Sequence, residues 1–375
     1  MPARFRSAQL FSAALITILS QASVVEAHKN LEVTGSIAEL YDDNISYAES
    51  DELDDFVTRL SAGVGVDYET ARQRLKLMGN IHQQLFASHN RFNNTSEDAD
   101  LTWRFDASKH TRLNFRNVFT HAEDPRNFED NLGRTGGRFS YIRNRLNASV
   151  RQELGPQFAA IGRYGNEIFE ISRDDRSDSV LHTAGLQGEY SYSSETIFLS
   201  SYDFSYRDFQ PGGDANAHTF AGGVRQYFTP AVYAEGRIGV DFLEDFTGDT
   251  KARPRFQASI NHEVDDESLA SLTFDQTYET TSYDASLLKS WRVSGSYRQQ
   301  LQKRMLGTLQ AFYGQSKYLS SSVEDDVAGF HIAFDYEVTP DWTASAGYQL
   351  SSIESSDSTR EFLKNVVMLT VSLKL

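Results

Sequence analysis

Apolar and polar side chains alternate with a period of two along most of the chain. In the last segment, Leu369, Val371 and Leu373 are apolar, whereas Thr370 and Ser372 between them are polar. Successive side chains of a β-strand point to opposite faces, so each such segment predicts a strand with one apolar and one polar face. Apolar residues at helical spacing, three or four positions apart, do not explain these segments. The alternation therefore predicts an all-β protein.

Connections between the predicted strands alternate in length. Eight short connections, such as 69–73 and 339–341, separate nine longer polar ones, such as 42–55 and 121–137. Together they join eighteen strands, and sixteen is the alternative. Short turns at one end, longer loops at the other and an even strand number are typical of bacterial outer-membrane barrels. The predicted fold is an antiparallel transmembrane β-barrel of about 18 strands.

Charged residues recur on the polar face of strand after strand. In a barrel wide enough for water, this face lines the interior and the apolar face contacts lipid. A secreted β-sandwich, the alternative, would bury its apolar face in a core. The connection lengths favour the barrel, so the charged residues are predicted to line a pore. They are Arg59, Asp67, Arg104, Asp106, Arg116, Arg145, Arg151, Asp203, Arg207, Arg225, Glu235, Arg237, Asp241, Asp275, Arg292, Arg298 and Asp335.

The first 27 residues differ from the rest of the chain. Two arginines precede an apolar stretch from Leu10 to Leu19, and the small residue Ala27 follows. This order is typical of a secretory signal peptide, with cleavage predicted after Ala27. The apolar stretch is too short to cross a bilayer as a helix. We therefore expect residues 1–27 to be removed on export and residues 28–375 to form a single barrel domain in the outer membrane.

Composition narrows the possible functions. The chain of 375 residues has 36 basic and 52 acidic residues, a formal net charge of −16 and no cysteine. Disulfides and thiolate metal sites are excluded, and the acidic surplus argues against a nucleic-acid partner. The nine histidines show no metal-binding spacing, and no nucleophile-elbow motif occurs. We predict no catalytic residue, metal or cofactor, and we place His82, His182 and His331 on polar strand faces.

A short acidic motif ends the first predicted strand. It comprises Tyr41, Asp42, Asp43 and Asn44 within the segment 39–45. With the strand spacing over most of the mature chain, this motif resembles the opening of the putative β-barrel porin type 2 family. Members of that family are outer-membrane proteins often associated with exopolysaccharide or capsule loci. The resemblance implies a channel or export role and does not identify a cargo.

Two connections suggest special roles. The connection 42–55 carries seven carboxylates and no Lys or Arg. It is interpreted as a solvated loop at the barrel mouth, although its oxygens are also suited to Ca²⁺ or Mg²⁺. The longest connection, 121–137, is predicted to fold inward as a plug or constriction, because side chains alone cannot fill a barrel of this width.

Three functions stay open at this point. An export channel for a secreted polysaccharide requires a periplasmic partner, a general or nutrient porin requires none, and an adhesin or structural barrel does not conduct. The export channel is preferred, with outer-membrane lipid around it, a polysaccharide as cargo and no covalent chemistry. The opposite charges of the interior either pair with each other or bind passing solutes.

Overall fold

The structure is a computed structural model that describes residues 28–123, 138–172, 177–210, 212–244, 250–265, 268–280, 287–319 and 323–375. The predicted signal peptide and most of the connection 121–137 lie outside the described residues. Within these ranges, two single-turn 3₁₀ helices, Asn90–Phe92 and Ser358–Arg360, lie in connections. No helix of the described part of the chain is long and apolar enough to cross a membrane. The strands are β1 His28–Asp42, β2 Asp55–Glu69, β3 Gln73–Phe86, β4 Asn94–Asp106, β5 Thr111–Ala122, β6 Tyr141–Glu153, β7 Phe158–Ile171, β8 Asp178–Ser191, β9 Thr196–Gln210, β10 Asp214–Thr229, β11 Val232–Glu244, β12 Thr250–Asp265, β13 Ser268–Thr280, β14 Leu287–Gln302, β15 Met305–Tyr318, β16 Glu324–Glu337, β17 Trp342–Ser355 and β18 Phe362–Lys374.

The strands form one closed antiparallel sheet. Each strand pairs with its neighbours in sequence, and β1 pairs with both β2 and β18. The last pairing runs from Thr34 opposite Lys374 to Asp42 opposite Val366, and it closes the sheet. Closure leaves no unpaired edge. The predicted barrel of eighteen strands is therefore confirmed, and the alternative of sixteen is wrong.

The apolar face of the sheet is its outer surface. In β2, the alternate residues Phe56, Leu60 and Val64 are 61%, 41% and 55% exposed, whereas Val57 between them is 3% exposed. A band of exposed apolar side chains around a closed sheet is the surface that a membrane barrel presents to lipid. A soluble sandwich would instead bury this face.

Hydroxyl side chains close four of the short turns. Thr70, Ser193, Thr229 and Thr339 each accept a hydrogen bond from the backbone N–H three residues later, at 3.0 to 3.2 Å. Such local bonds favour a tight reversal of the chain over continuation of the strand. We call this end of the barrel the turn end and the opposite end, with the longer connections, the loop end.

Candidate functional site: a charged interior and an inward-folded loop

Contacts between strands that are not neighbours show which face is the interior. Arg237 of β11 donates to Gln187 Oε1 of β8 at 3.2 Å, and Arg163 of β7 donates to Asp203 of β9 at 3.0 Å. Strands lie about 4.8 Å apart, so β8 and β11 are about 14 Å apart along the sheet. Side chains can span that distance only on the concave side.

All the charged residues predicted to line a pore lie on this inner face. The strand registers place them in line with Arg237 and Gln187, from Arg59 opposite Gln84 round to Asp335 opposite Ser345. The pairing of the strands therefore places these side chains in the interior of the barrel. Whether they line a conducting path stays a prediction.

Around β3, β4 and β5 the interior is open to water. The pair between Arg116 Nη2 and Asp100 Oδ2 has a distance of 2.6 Å, yet the two side chains are 59% and 39% exposed. Lys76, nearer the turn end, is 55% exposed. Ion pairs in water contribute at most about 1 kcal/mol. This wall therefore presents charges that exchange readily between each other and water.

The wall formed by β6, β7 and β9 has a buried charge cluster instead. Glu167 accepts from Arg143 at 2.7 Å, Arg145 at 2.9 Å and Arg207 at 3.3 Å. The side chains of Glu167 and Arg207 are only 11% and 6% exposed. Several charge-assisted hydrogen bonds offset the cost of burying these ions. Here the opposite charges pair with one another, and three cations surround one anion.

The first loop, residues 43–54, folds into the barrel. Asn44 and Ile45 are fully buried and Tyr47 is 5% exposed. The interpretation of this segment as a solvated loop holds for residues 49–52 and Asp54, which are exposed. It is wrong for the first part of the loop, because Asn44, Ile45 and Tyr47 are buried against the inner wall. Ile45 clusters with Ala38, Leu40, Val57 and Phe86 of β1 to β3, and Tyr47 clusters with Phe312, Val327, Ile353 and Phe362 of β15 to β18.

Lys364 of β18 holds the beginning of the first loop. Its Nζ donates to Asp42 Oδ2 at 2.6 Å and to the Asn44 carbonyl at 3.1 Å. It also lies 3.9 Å from the centroid of the Tyr47 ring, and its side chain is 6% exposed. This set of contacts, which we call the Lys364 latch, joins the loop to the strand that closes the barrel.

The other motif residues add to the same attachment. Asn44 Nδ2 donates to the carbonyl of Leu363 at 2.9 Å. Asp43 accepts from the backbone N–H and the amide of Asn365 at 2.6 and 2.7 Å. Tyr41 lies on the outer face, where its hydroxyl donates to Asp54 at 3.3 Å. The acidic motif thus attaches the first loop across the β1–β18 seam.

Arg138, at the end of the connection 121–137, also holds the first loop. Its Nη1 donates to the carbonyl of Ile45 at 3.2 Å, and its Nη2 donates to Glu123 at 3.2 Å. The guanidinium lies 5.1 and 5.4 Å from the ring centroids of Phe86 and Phe92. The described end of this connection therefore points inward, and the predicted plug itself lies outside the described residues.

A third inward attachment comes from the last loop. Arg360 donates to Asp325 at 2.6 and 3.2 Å and to the hydroxyl of Tyr318. Burial, the largest single effect, would lower the pKa of Arg360, but its hydrogen bonds and charge interactions with Asp325 and Tyr318 together outweigh burial and raise that pKa above its usual value. The loop end is thus lined by buried, charge-paired groups.

Two of the three histidines predicted on polar strand faces lie in the interior. His82 lies inside, between Ser61 Oγ and Asp98 Oδ1, each at 2.8 Å. His331 also faces inward, but His182 lies on the outer face beside the Tyr164 hydroxyl at 3.0 Å. The predicted polar face for His182 is therefore wrong, because the interior residues of β8 are its neighbours Leu181 and Thr183. Among the described residues no group of three or more His, Asp or Glu could hold a metal ion.

The sequence from residue 32 to residue 375 matches the family model described as "Putative beta-barrel porin 2". The chain belongs to this family. It is a family of outer-membrane β-barrel porins, not of enzymes. The porin-like barrel is thus placed in the outer membrane by its family.

Solved structures with similar folds are also barrels. OpdQ from Pseudomonas aeruginosa is 11% identical, with 94% of this chain and 100% of that chain covered and a TM-score of 0.51. The outer membrane protein opdK from the same species is 7% identical, with coverages of 92% and 99% and a TM-score of 0.48. OccAB3 from Acinetobacter baumannii is 9% identical, with coverages of 92% and 99% and a TM-score of 0.47. The OpdQ likeness shows the fold alone. No curated protein matches this porin's sequence.

Alternation could have identified one of the residues that hold the first loop. Lys364 is an even number of positions from Thr370 and Ser372, so the period of two assigns it to the polar face of β18, which is the inner face. Arg138 and Arg360 lie in connections, where no period assigns a face. Only the folded barrel of this porin shows that these two side chains point inward.

Proposed function

We propose that the protein is an outer-membrane channel for hydrated, hydroxyl-rich solutes and that it serves the export of an exopolysaccharide or capsule. The observation that carries the channel is the water-exposed, charged inner wall of β3 to β5, with Arg116 and Asp100 at its centre. Such groups exchange hydrogen bonds with a passing solute without a deep binding well, as transport requires. Eighteen strands enclose a barrel about 35 Å across between backbones, which leaves room for water.

The export role has separate support. It follows from the resemblance of the motif Tyr41–Asn44 to a family associated with polysaccharide loci. Charged donors and acceptors in the interior suit either a neutral or an acidic polymer. Export also requires a partner that delivers the chain from the periplasm, and this partner belongs to the same proposal.

A nutrient or general porin is the second candidate. The first loop packs against a continuous arc of inner wall, from β15 through β18 and β1 to β3, and so narrows the opening. Small solutes can pass beside such a loop, whereas a polymer requires the loop to move. This observation favours uptake of small molecules.

Single-channel recording in planar bilayers distinguishes these functions. The purified protein is recorded alone, with a neutral polysaccharide (dextran) and with an acidic one (alginate). Conductance that a polysaccharide blocks transiently supports export. Conductance that is indifferent to both polymers, with small sugars entering proteoliposomes, supports the nutrient porin. A folded barrel that never conducts contradicts both channels and leaves an adhesin or structural role.

A further inference from the structure

A cavity lies between the first loop and the inner wall near the loop end. Its volume is about 270 Å³, at the lower limit of typical ligand pockets, which begin at about 300 Å³. The cavity is therefore suited to one small molecule rather than to a polymer segment. Among its described lining residues are the apolar side chains of Leu40, Val57, Phe86, Val366 and Met368.

Amide and hydroxyl groups form the other side of this cavity. Gln84, Asn94, Ser96 and Gln349 line it, and Gln84 and Ser96 are 6% and 3% exposed. Asn94 Nδ2 donates to Gln84 Oε1 at 3.0 Å. A primary amide has two donor hydrogens and two acceptor lone pairs. Asn94 Nδ2 also donates to the Phe92 carbonyl at 3.0 Å, so the Asn94 amide offers a ligand its acceptor oxygen, and Gln349 provides a second amide.

The carboxylates that line the cavity are neutralised by their partners. Asp42 pairs with Lys364 at 2.6 Å, and Glu123 pairs with Arg138 at 3.2 Å. A cationic ligand would therefore have to compete with two existing ion pairs. The rest of the lining combines an apolar floor, neutral amide and hydroxyl groups, and the side chains of Arg59 and His331.

We propose that this cavity binds one sugar ring. A pyranose ring has an apolar face of C–H groups and a rim of hydroxyls that donate and accept. The apolar floor around Val57 and Phe86 matches the ring face, and the amides of Gln84, Asn94 and Gln349 match the hydroxyl rim. The ring is a free monosaccharide or the terminal unit of a chain. The cavity and its lining do not depend on the proposed channel function. Only the choice of a sugar as the ligand rests on that proposal.

Gly347 allows the cavity to be filled without disturbing the wall. It lies on the inner face of β17 and lines the cavity. A Cβ atom at this position would meet the Ile332 carbonyl at 3.4 Å and Met368 Cε at 3.8 Å, which are ordinary contacts. Gly347→Ala should therefore fold normally, whereas Gly347→Leu places a branched side chain in the ligand space. Gln349→Leu removes one amide at nearly constant volume.

The test is isothermal titration of the folded full chain in detergent with D-glucose, D-galactose, D-mannose and sodium D-glucuronate. We expect saturable binding of at least one hexose at one site per chain. Affinity should fall at least about tenfold in Gly347→Leu and Gln349→Leu, because space or hydrogen bonds are lost, and should stay unchanged in Gly347→Ala. Should Gly347→Leu not fold, Gln349→Leu alone carries the comparison.

Several results would overturn the sugar site. They are no saturable binding of any hexose, or equal affinity in the wild type and both leucine variants for every sugar that binds, glucuronate included. Bilayer recording of the same preparation separates this proposal from the channel. Conductance without hexose binding refutes the site and leaves the channel, whereas variant-sensitive binding without conductance refutes the channel and leaves the site.

Discussion

Replacing Lys364 with Met should release the first loop. Met retains most of the aliphatic length of Lys but loses the charge that pairs with Asp42 at 2.6 Å and bonds the Asn44 carbonyl at 3.1 Å. Removing one partner from a buried ion pair costs about 3 to 5 kcal/mol, and loss of the contact with the Tyr47 ring adds about 0.5 to 2 kcal/mol. Because Asp42 cannot remain buried and unpaired at that cost, we expect the loop to swing into water.

Two measurements follow the release of the loop. Single-channel conductance of Lys364→Met should rise above that of the wild type, because the first loop no longer narrows the opening. Limited proteolysis with chymotrypsin should cut after Tyr47, whose side chain is only 5% exposed while the first loop is attached. The barrel of Lys364→Met should unfold at a urea concentration similar to that of the wild type. Opening of the loop exposes Asp42 to water and so avoids most of the cost of an unpaired buried charge.

Lys374 provides a matched control on the same strand and face. It pairs with Glu32 at 2.9 Å, but its side chain is 62% exposed, against 6% for Lys364. Lys374→Met should therefore cost less than about 1 kcal/mol and leave conductance and proteolysis unchanged. Equal behaviour of Lys364→Met, Lys374→Met and the wild type in both assays would refute the Lys364 latch.

Three further predictions concern other parts of the barrel. Phe334→Arg should impair insertion, since a cation facing lipid costs about 2 to 4 kcal/mol, whereas Asp335→Arg on the inner face should assemble normally. Heat-modifiable migration in detergent gels measures assembly, and the reverse result would mean that the register of this strand is shifted by one. Arg138→Ala removes a donor to the Ile45 carbonyl and should raise conductance, and unchanged conductance and proteolysis would show that Arg138 does not hold the loop. Arg116→Glu should shift the reversal potential in a salt gradient toward cation selectivity. Its stability in urea should change little, because this side chain is 59% exposed. An unchanged reversal potential would place Arg116 off the conduction path.

The sequence alone determined the barrel, its strand number and the faces of its strands. A strand repeats every two residues, so the position of Arg59 or Asp335 relative to its neighbours already assigns it to the polar face. Connection lengths are equally local, and they gave the order of turns and loops. The prediction for His182 was wrong because this polar side chain shares the outer face of β8 with the apolar residues Val180, Ala184 and Leu186.

Only the tertiary structure decided the arrangement at the loop end. The acidic motif was visible in the sequence, but its partner Leu363 lies 319 residues away from Asn44, and Arg138 lies 93 residues from Ile45. Arg138 reaches Ile45 from the connection between β5 and β6, whereas Asn44 and Leu363 meet because the last strand pairs with the first. The cavity beneath the first loop has the same origin. Loops have no repeating side-chain period, so their direction follows from the closed sheet and from the burial of a few side chains such as Tyr47.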